Sequence, residues 1–286
     1  MISVIITAYN RPDFLGEAID SALAQTYADK EVIVVDDGST EPRTREVLAA
    51  YGDRIRAVRK DNGGVASARN AGIRASKGEI LAFLDDDDAW LPEKLARQAE
   101  AFEKHPEVGL VYTNCIRFDE RGELPDRDMA PRSGRAFKAF VEDYFIVLST
   151  MAVRRACVDA AGLFDQAYRR QDDLDFMARV LELWPCLYLE EPLIRRRKYG
   201  RPIRPRDVLL SATEQRLYVD KMTARYGATG KLPWKWTQRK TASVENKLGR
   251  YHEMMGDARQ ARAHYARAIA AWPWKLAPWR RWIAAP

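Results

Sequence analysis

Four short apolar runs, separated by helical patterns and ending in polar or acidic residues, constrain this chain more than any other feature. They are Ser3-Val4-Ile5-Ile6, Glu31-Val32-Ile33-Val34-Val35, Ile55 to Val58, and Ile80-Leu81-Ala82-Phe83-Leu84. Between them Phe14 to Leu23, Arg43 to Tyr51 and Val65 to Ala75 show apolar residues at helical spacing. Strand and helix in alternation predict βαβ units and a mostly parallel sheet flanked by helices. In open sheets of this kind a ligand sits beyond the carboxyl ends of the strands. The polar residues gather there: Thr7 and Tyr9, Asp36 and Asp37, and Asp85 to Asp88.

The pattern weakens after Leu110-Val111-Tyr112, and 119–135 reads as a polar loop. Phe137 to Leu148, Val153 to Ala161 and Asp173 to Leu183 read as helices or short strands. Pro192, Pro202 and Pro205 then interrupt a basic stretch over 190–206. Beyond it, 207–226 and 242–272 have helical spacing and no strand signal, so the C-terminal third is expected to be all-helical. The division expected is a domain over 1–200 and a second over 207–286.

At 47% hydrophobic and 31% charged residues the chain holds enough apolar material for a core, which excludes disorder as its main state. No apolar run approaches the ~18 residues of a membrane span. The start, MISVIITAYN, enters a strand pattern without a leader-like segment. Cys115, Cys157 and Cys186 are few, odd in number and far apart, which suggests neither disulfides nor zinc, and the expected setting is cytoplasmic. His105, His252 and His264 have no metal spacing. Charge is uneven: residues 1–194 carry 25 Lys+Arg against 35 Asp+Glu, and residues 195–286 carry 22 against 6. An acidic body with a basic tail suggests two functional surfaces.

Asp85-Asp86-Asp87-Asp88 directly follows a buried strand. Such carboxylates repel one another unless a cation neutralises them, and alternating carboxylates suit a hard divalent ion that keeps positions open for phosphate oxygens. A solvated turn opening the next helix is the plainer alternative. The second acidic strand end, at Asp36-Asp37, favours the metal reading.

These blocks together resemble family-2 inverting glycosyltransferases of the GT-A fold. The resemblance is carried by Val4-Ile5-Ile6-Thr7-Ala8-Tyr9-Asn10-Arg11, Val34-Val35-Asp36-Asp37-Gly38-Ser39-Thr40, Asn62-Gly63-Gly64 with Ala68-Arg69-Asn70-Ala71-Gly72, Lys77-Gly78-Glu79, and Phe83 to Asp88 with Trp90, Pro92, Lys94 and Leu95. Each block alone is weak, whereas the ordered set, covering about 1–200, is specific. The resemblance implies that Thr7, Tyr9 and Asp37 hold a nucleotide base, with Asp37 accepting its imide N–H, and groups Asn10 and Asp36 with them. It implies that Arg69 fixes base or phosphates, that Asp86 meets ribose or sugar, and that Asp85 and Asp87 bind Mg2+ or Mn2+, Asp87 more directly.

A later segment, Gly162-Leu163-Phe164-Asp165 followed by Gln171-Asp172-Asp173-Leu174-Asp175, resembles the family's catalytic stretch. It puts the base that takes the acceptor proton on Asp173, with Asp172 as the alternative; an acidic helix N-terminus favoured by the helix dipole explains the same residues without chemistry. Tyr199 stands where many relatives carry a histidine, so Arg197 or Lys198 is expected to supply countercharge to phosphate. The Gln-x-x-Arg-Trp motif of processive synthases is missing, which favours single-sugar transfer.

In the tail, Leu248-Gly249, Gly256-Asp257, Ala261, Tyr265, Ala268 and Pro273 resemble one tetratricopeptide hairpin at about 242–275, with Glu245 at the repeat's first tryptophan position. Six of the eight tryptophans, Trp234, Trp236, Trp272, Trp274, Trp279 and Trp282, are interleaved with Lys235, Lys275, Arg280 and Arg281. That composition suits either a helical core or peripheral contact with an anionic membrane, which would put the enzyme at the inner face of the cell membrane. No recognition motif supports nucleic-acid binding. The expectation is a UDP- or dTDP-sugar donor and a glycan or lipid-linked hydroxyl acceptor in cell-surface polysaccharide assembly. A sugar nucleotidyltransferase and a non-catalytic scaffold are its competitors.

Overall fold

The computed structural model describes residues 1–125, 131–199, 202–274 and 276–284. Parts of two expected features, the polar loop at 126–130 and the domain junction at 200–201, lie outside the described residues, as does Lys275. The chain divides into two compact units, Met1–Gly200 and Arg201–Pro286.

The first unit contains β1 (Ile2–Ala8), α1 (Pro12–Leu23), β2 (Lys30–Asp36), α2 (Pro42–Tyr51), β3 (Arg56–Arg59), α3 (Val65–Ala75) and β4 (Ile80–Asp85). It continues with β5 (Ala89–Trp90), α4 (Lys94–Lys104), β6 (Leu110–Asp119), β7 (Gly122–Glu123), α5 (Phe137–Glu142), β8 (Met151–Arg154), α6 (Arg155–Ala161), α7 (Asp172–Leu183) and β9 (Cys186–Arg197). The sheet order is β3-β2-β1-β4-β8-β6-β9-β5, with β7 paired to β6. Strands β3, β2, β1 and β4 are parallel; β8 runs against β4 and β6, and β6 is parallel to β9. The carboxyl ends of β1, β2, β4, β6 and β9 therefore share one edge of the sheet.

Alternation along the strands sorts side chains to two faces. Val4, Ile6 and Ala8 join Leu15, Ala18 and Ile19 of α1 in the larger core, whereas Ile33 and Val35 pack with Ala68 of α3 on the other face. Helix α3 lies close because Gly72 has no side chain; a Cβ there would fall inside contact distance of Ile5 Cγ2. Prolines at the first turns of α1 and α2 start those helices where no N–H partner is needed.

Strand β9 is the element the sequence concealed. Of the basic, proline-broken stretch over 190–206, residues 190–197 belong to this twelve-residue strand, which pairs to β6 through two register shifts and to β5 at Ala89↔Arg195; the break between the two units falls after it, between Gly200 and Arg201. Strand β6 is likewise longer than its apolar core, Leu110-Val111-Tyr112.

The second unit consists of α8 (Pro205–Tyr226), α9 (Trp236–Met254), α10 (Ala258–Ala271) and α11 (Leu276–Ala284), with no strand among its described residues. Helices α9 and α10 form a hairpin closed at Gly256, and Asp257 caps α10 by accepting from Gln260 N at 3.0 Å. The ring of Tyr265 covers Gly249. Glu245 is buried and gathers Arg216, His264 (2.8 Å) and Arg267 (3.0 Å) into an ionic cluster inside this unit.

Candidate active site

The end of β1 turns sharply at Asn10, whose φ of 52° places it in the left-handed region that asparagine tolerates better than most residues. Its side-chain oxygen accepts from Thr40 N and Glu41 N, both at 2.9 Å, and its own N–H donates to Ser39 Oγ at 3.1 Å. Asn10 thus ties the exit of β1 to the exit of β2. Asp36 also builds this junction: its carboxylate accepts from Ser39 N at 2.8 Å and from Arg59. Neither Asn10 nor Asp36 lines the cleft; both hold the junction between the exits of β1 and β2.

Asp37 does line it, next to Thr7 and Tyr9. Its carboxylate accepts from Lys60 Nζ (2.6 Å), Gly63 N (3.1 Å) and Gly64 N (2.8 Å). A carboxylate offers about four lone-pair sites, which leaves one for a further donor. Lys60 carried no motif signal; only the parallel register of β3 beside β2 brings it to Asp37.

The four aspartates divide in role. Asp85 ends β4, and Asp86 and Asp87 follow it into the cleft. Arg11 reaches across from the first turn to Asp86 Oδ1 at 3.3 Å and Asp87 Oδ2 at 2.6 Å. Burial, with Asp87 and Asp85 adding and Arg11 opposing, pushes Asp86 up to about 7. Asp88 turns away and is buried: Oδ2 accepts from Ser149 Oγ at 2.7 Å and Oδ1 from Arg197 N at 3.1 Å. Ser149 also accepts from Asp85 N at 3.2 Å, so this one hydroxyl holds both ends of the acidic turn. In the sequence Arg11 closed a motif block without a role and Ser149 carried no signal, because their partners lie more than sixty residues away.

Arg69 joins the two carboxylate groups. From α3 its guanidinium donates to Asp85 Oδ1 at 2.9 Å and to Asp172 Oδ2 at 2.6 Å. Asn70 beside it holds the Phe164 backbone through both ends of its amide, at 2.8 and 2.9 Å, which docks the segment leading to α7. Asp172 is only 1% exposed. Asp173, one residue into α7, is half-buried and accepts from Leu174 N at 2.9 Å. Burial pushes it up to about 7, with Arg69 opposing and the charges of Asp172 and Asp85 adding. Of the two candidate bases, Asp172 is committed to the ion pair and Asp173 is the one poised near neutrality.

Arg197 lies outside the cleft lining: its guanidinium donates to Glu17 at 2.5 Å and sits 4.6 Å from the Phe14 and Phe118 ring centroids. Tyr199, in contrast, stands beside Asp87; burial and that carboxylate push the phenol up to about 12.

Thr7, Tyr9, Asp37, Asp85, Asp86 and Asp87 thus converge on one open cleft of about 730 Å3, with Asn62-Gly63-Gly64 on one wall and Gln166, Tyr168 and Arg169 on another. The last three had no recognisable pattern in the sequence. Among the described residues no group of three or more His, Cys, Asp or Glu side chains could hold a metal ion unaided. Asp85 and Asp87 offer two hard carboxylate donors, and Asp85 is 36% exposed. That pair fits a divalent cation which takes its other ligands from phosphate and water.

A family model for glycosyl transferase family 2 matches residues 3–162. An uncharacterized glycosyltransferase of Rickettsia felis is 33% identical over 205 residues, which cover 69% of this chain and 34% of that protein. Another, of Rickettsia typhi, is 32% identical over 204 residues, covering 69% of this chain and 64% of that one. The chain therefore spans between a third and two-thirds of these relatives' length. Among solved structures, S. aureus TarS aligns with a TM-score of 0.66 at 19% identity, over 96% of this chain and 49% of that chain. The mannosyltransferase PcManGT of Pyrobaculum calidifontis, solved with GDP-Man and Mn2+, aligns with a TM-score of 0.61 at 20% identity, over 99% of this chain and 79% of that one. The expected fold class, a GT-A-like α/β sheet followed by a helical region, is the one observed.

Proposed function

We propose that this chain, which belongs to glycosyl transferase family 2, transfers a single sugar from a nucleotide-diphosphate donor to a hydroxyl acceptor with inversion at the anomeric carbon. The observation that carries the reading is the convergence of Thr7, Tyr9, Asp37 and the Asp85–Asp87 turn on one cleft, with Arg69 linking that turn to the start of α7. Thr7, Tyr9 and the remaining acceptor position of Asp37 receive a uracil or thymine base, and Asp86 the ribose or sugar. Asp85 and Asp87 hold Mg2+ or Mn2+; when bound, the cation supplies Lewis-acid stabilisation of the charge on the departing diphosphate. Arg11 already spans Asp86 and Asp87 and adds a positive charge at the same place. The Asp173 carboxylate takes the acceptor hydroxyl's proton as that oxygen bonds to the anomeric carbon and the bond to diphosphate breaks.

The second unit extends the reading. The α9–α10 hairpin is proposed as a tetratricopeptide-like support, and the tail as a peripheral contact with an anionic membrane from the cytoplasmic side, where a glycan or lipid-linked acceptor for cell-surface polysaccharide would be met. Trp234 and Trp274 are 74% and 78% exposed, and Leu276 and Ile283 of α11 are also exposed, with Arg280 and Arg281 on the same helix. Among the described residues no helix is long and apolar enough to cross a membrane.

The test is binding and hydrolysis of a panel of nucleotide sugars with Mn2+ or EDTA, using wild type, Asp87→Ala and Asp173→Asn. One donor is expected to bind in a metal-dependent way, Asp87→Ala to lose that binding, and Asp173→Asn to keep binding but lose hydrolysis. If no nucleotide sugar binds, the reading fails. Flotation with phosphatidylglycerol against phosphatidylcholine vesicles tests the tail, and equal absence from both refutes it.

A further inference from the structure

The ends of β6 and β9 carry a cluster of cations that no step above uses. The strands are parallel, and Arg117 and Arg196 are partners in their register. Like charges opposite each other on neighbouring strands destabilise a sheet. Lys198 follows at the end of β9; burial pushes its ammonium down to about 8, with Arg196 and then Arg117 adding to the effect. The nearby carboxylate, Asp88, is already taken by Ser149 Oγ and Arg197 N. Arg117 donates to the Pro125 backbone oxygen at 3.2 Å. The side chains of Arg196 and Lys198 make no hydrogen bond or ion pair among the described residues.

Arg117 and Arg196 line a second pocket of about 140 Å3, together with Tyr112, Asn114, Cys115 and Tyr188. It is far smaller than the cleft of about 730 Å3 and suits a compact group. Both β4 and β6 run against β8, so this pocket lies toward the same sheet edge as Asp85. Thr150 of its wall is the neighbour of Ser149, which binds Asp85 and Asp88. Two half-buried guanidinium groups brought to one pocket from neighbouring strands are a donor set that recognises an oxyanion, and the ammonium of Lys198 adds positive charge near them.

We propose that this pocket is an anion subsite that seats a phosphate or carboxylate group of the acceptor, so that the molecule receiving the sugar is itself anionic. The acceptor assignment rests on the glycosyltransferase reading, whereas the anion site does not.

Cys115 provides a local readout, because it lines the pocket and is half-buried while Cys157 and Cys186 are buried. The full-length chain is alkylated with iodoacetamide, and each cysteine is followed by mass spectrometry. Orthophosphate, glycerol 3-phosphate, glucuronate or UDP with Mn2+ is added, against sodium chloride at matched ionic strength. Orthophosphate and one of the two organic anions are expected to slow Cys115 selectively; which organic anion does so tells phosphate from carboxylate. In Arg196→Gln, half-protection should need about tenfold more anion, as loss of a charge-assisted hydrogen bond implies. Arg117→Gln provides the same reading through the other strand. Without anion, hydrogen exchange of β6 and β9 peptides in urea should be no faster in Arg196→Gln than in wild type, since that change removes a like-charge contact.

Failure of every anion to slow Cys115, or equal protection in both variants, overturns the site. Protection by UDP as strong as by glycerol 3-phosphate overturns the acceptor assignment and gives the pocket to the donor. Protection of Cys115 in a protein that binds no nucleotide sugar leaves the anion site standing and removes the transferase reading instead.

Discussion

Arg69 is the residue whose removal should report on fold and chemistry together. In Arg69→Met the partner left behind that matters most is Asp172, 1% exposed, which accepts from Arg69 at 2.6 Å. Its Oδ1 has no hydrogen-bond partner among the described residues, so nothing else shares its charge. Stranding a buried charge costs about 3–5 kcal/mol. The other partner, Asp85, is 36% exposed and can turn to water, so its share is below about 1 kcal/mol. Asp172→Asn in the Arg69→Met background removes the stranded charge and should recover most of the loss, a non-additivity that identifies the pair. The two compact units make a single global transition an unsafe measure. Hydrogen exchange of β1 and β4 peptides in increasing urea follows the first unit alone. The chemistry should move in opposite directions in the two single variants. Arg69 holds the Asp173 carboxyl down and Asp172 holds it up, around a value near 7. The base works deprotonated, so kcat/KM of wild type should rise with pH through about 7. Arg69→Met should move that rise to higher pH and Asp172→Asn to lower pH. A loss under about 1 kcal/mol in Arg69→Met, additive single variants, or a pH profile that shifts the same way in both would refute this account.

Asp86, Asp88 and Asp173 are all raised to about 7 from an ordinary 3.8, chiefly by burial. Between those values the folded state holds more protons than the unfolded one, so these groups lower stability as pH rises through that window; Mn2+ should slow exchange of β1 and β4 peptides in urea more at the upper end than at the lower, and Asp86→Asn should flatten the slope. Lys94 is fully buried, 3.9 Å from the Trp90 ring centroid and bonded to Gln98, and burial holds its ammonium well below 10.5. The unfolded chain gains that proton first as pH falls, so Lys94→Met should be the more stable protein at neutral pH, by a margin that grows toward acid in urea titrations. Gly72→Ala places a methyl against Ile5 Cγ2 and should cost about 1–3 kcal/mol, seen as faster exchange in β1 with the α9–α10 hairpin unaffected.

What the sequence determined by itself is local and periodic. Short apolar runs at 3–6 and 31–35, helical spacing in α1, α2 and α3, and acidic residues at strand ends follow from neighbours a few positions apart, so a linear reading recovers them. Tyrosine, threonine and aspartate at those ends were visible as candidates for the same reason. Only tertiary structure decided what the carboxylate beside each of these does. Asp37 lines the cleft while Asp36 builds a turn, and Asp87 meets Arg11 while Asp88 is buried under Ser149. Strand β9 was hidden because three arginines and a proline have low strand preference. Pairing with β6 on one side and β5 on the other overrides it, since a ladder of hydrogen bonds to existing strands outweighs the preference of single residues. The contacts of Lys60 with Asp37, Arg69 with Asp172 and Arg117 with Arg196 span 23, 103 and 79 positions. Residues that far apart come together only after the sheet and its helices have assembled, and it is there that these charges find their neighbours.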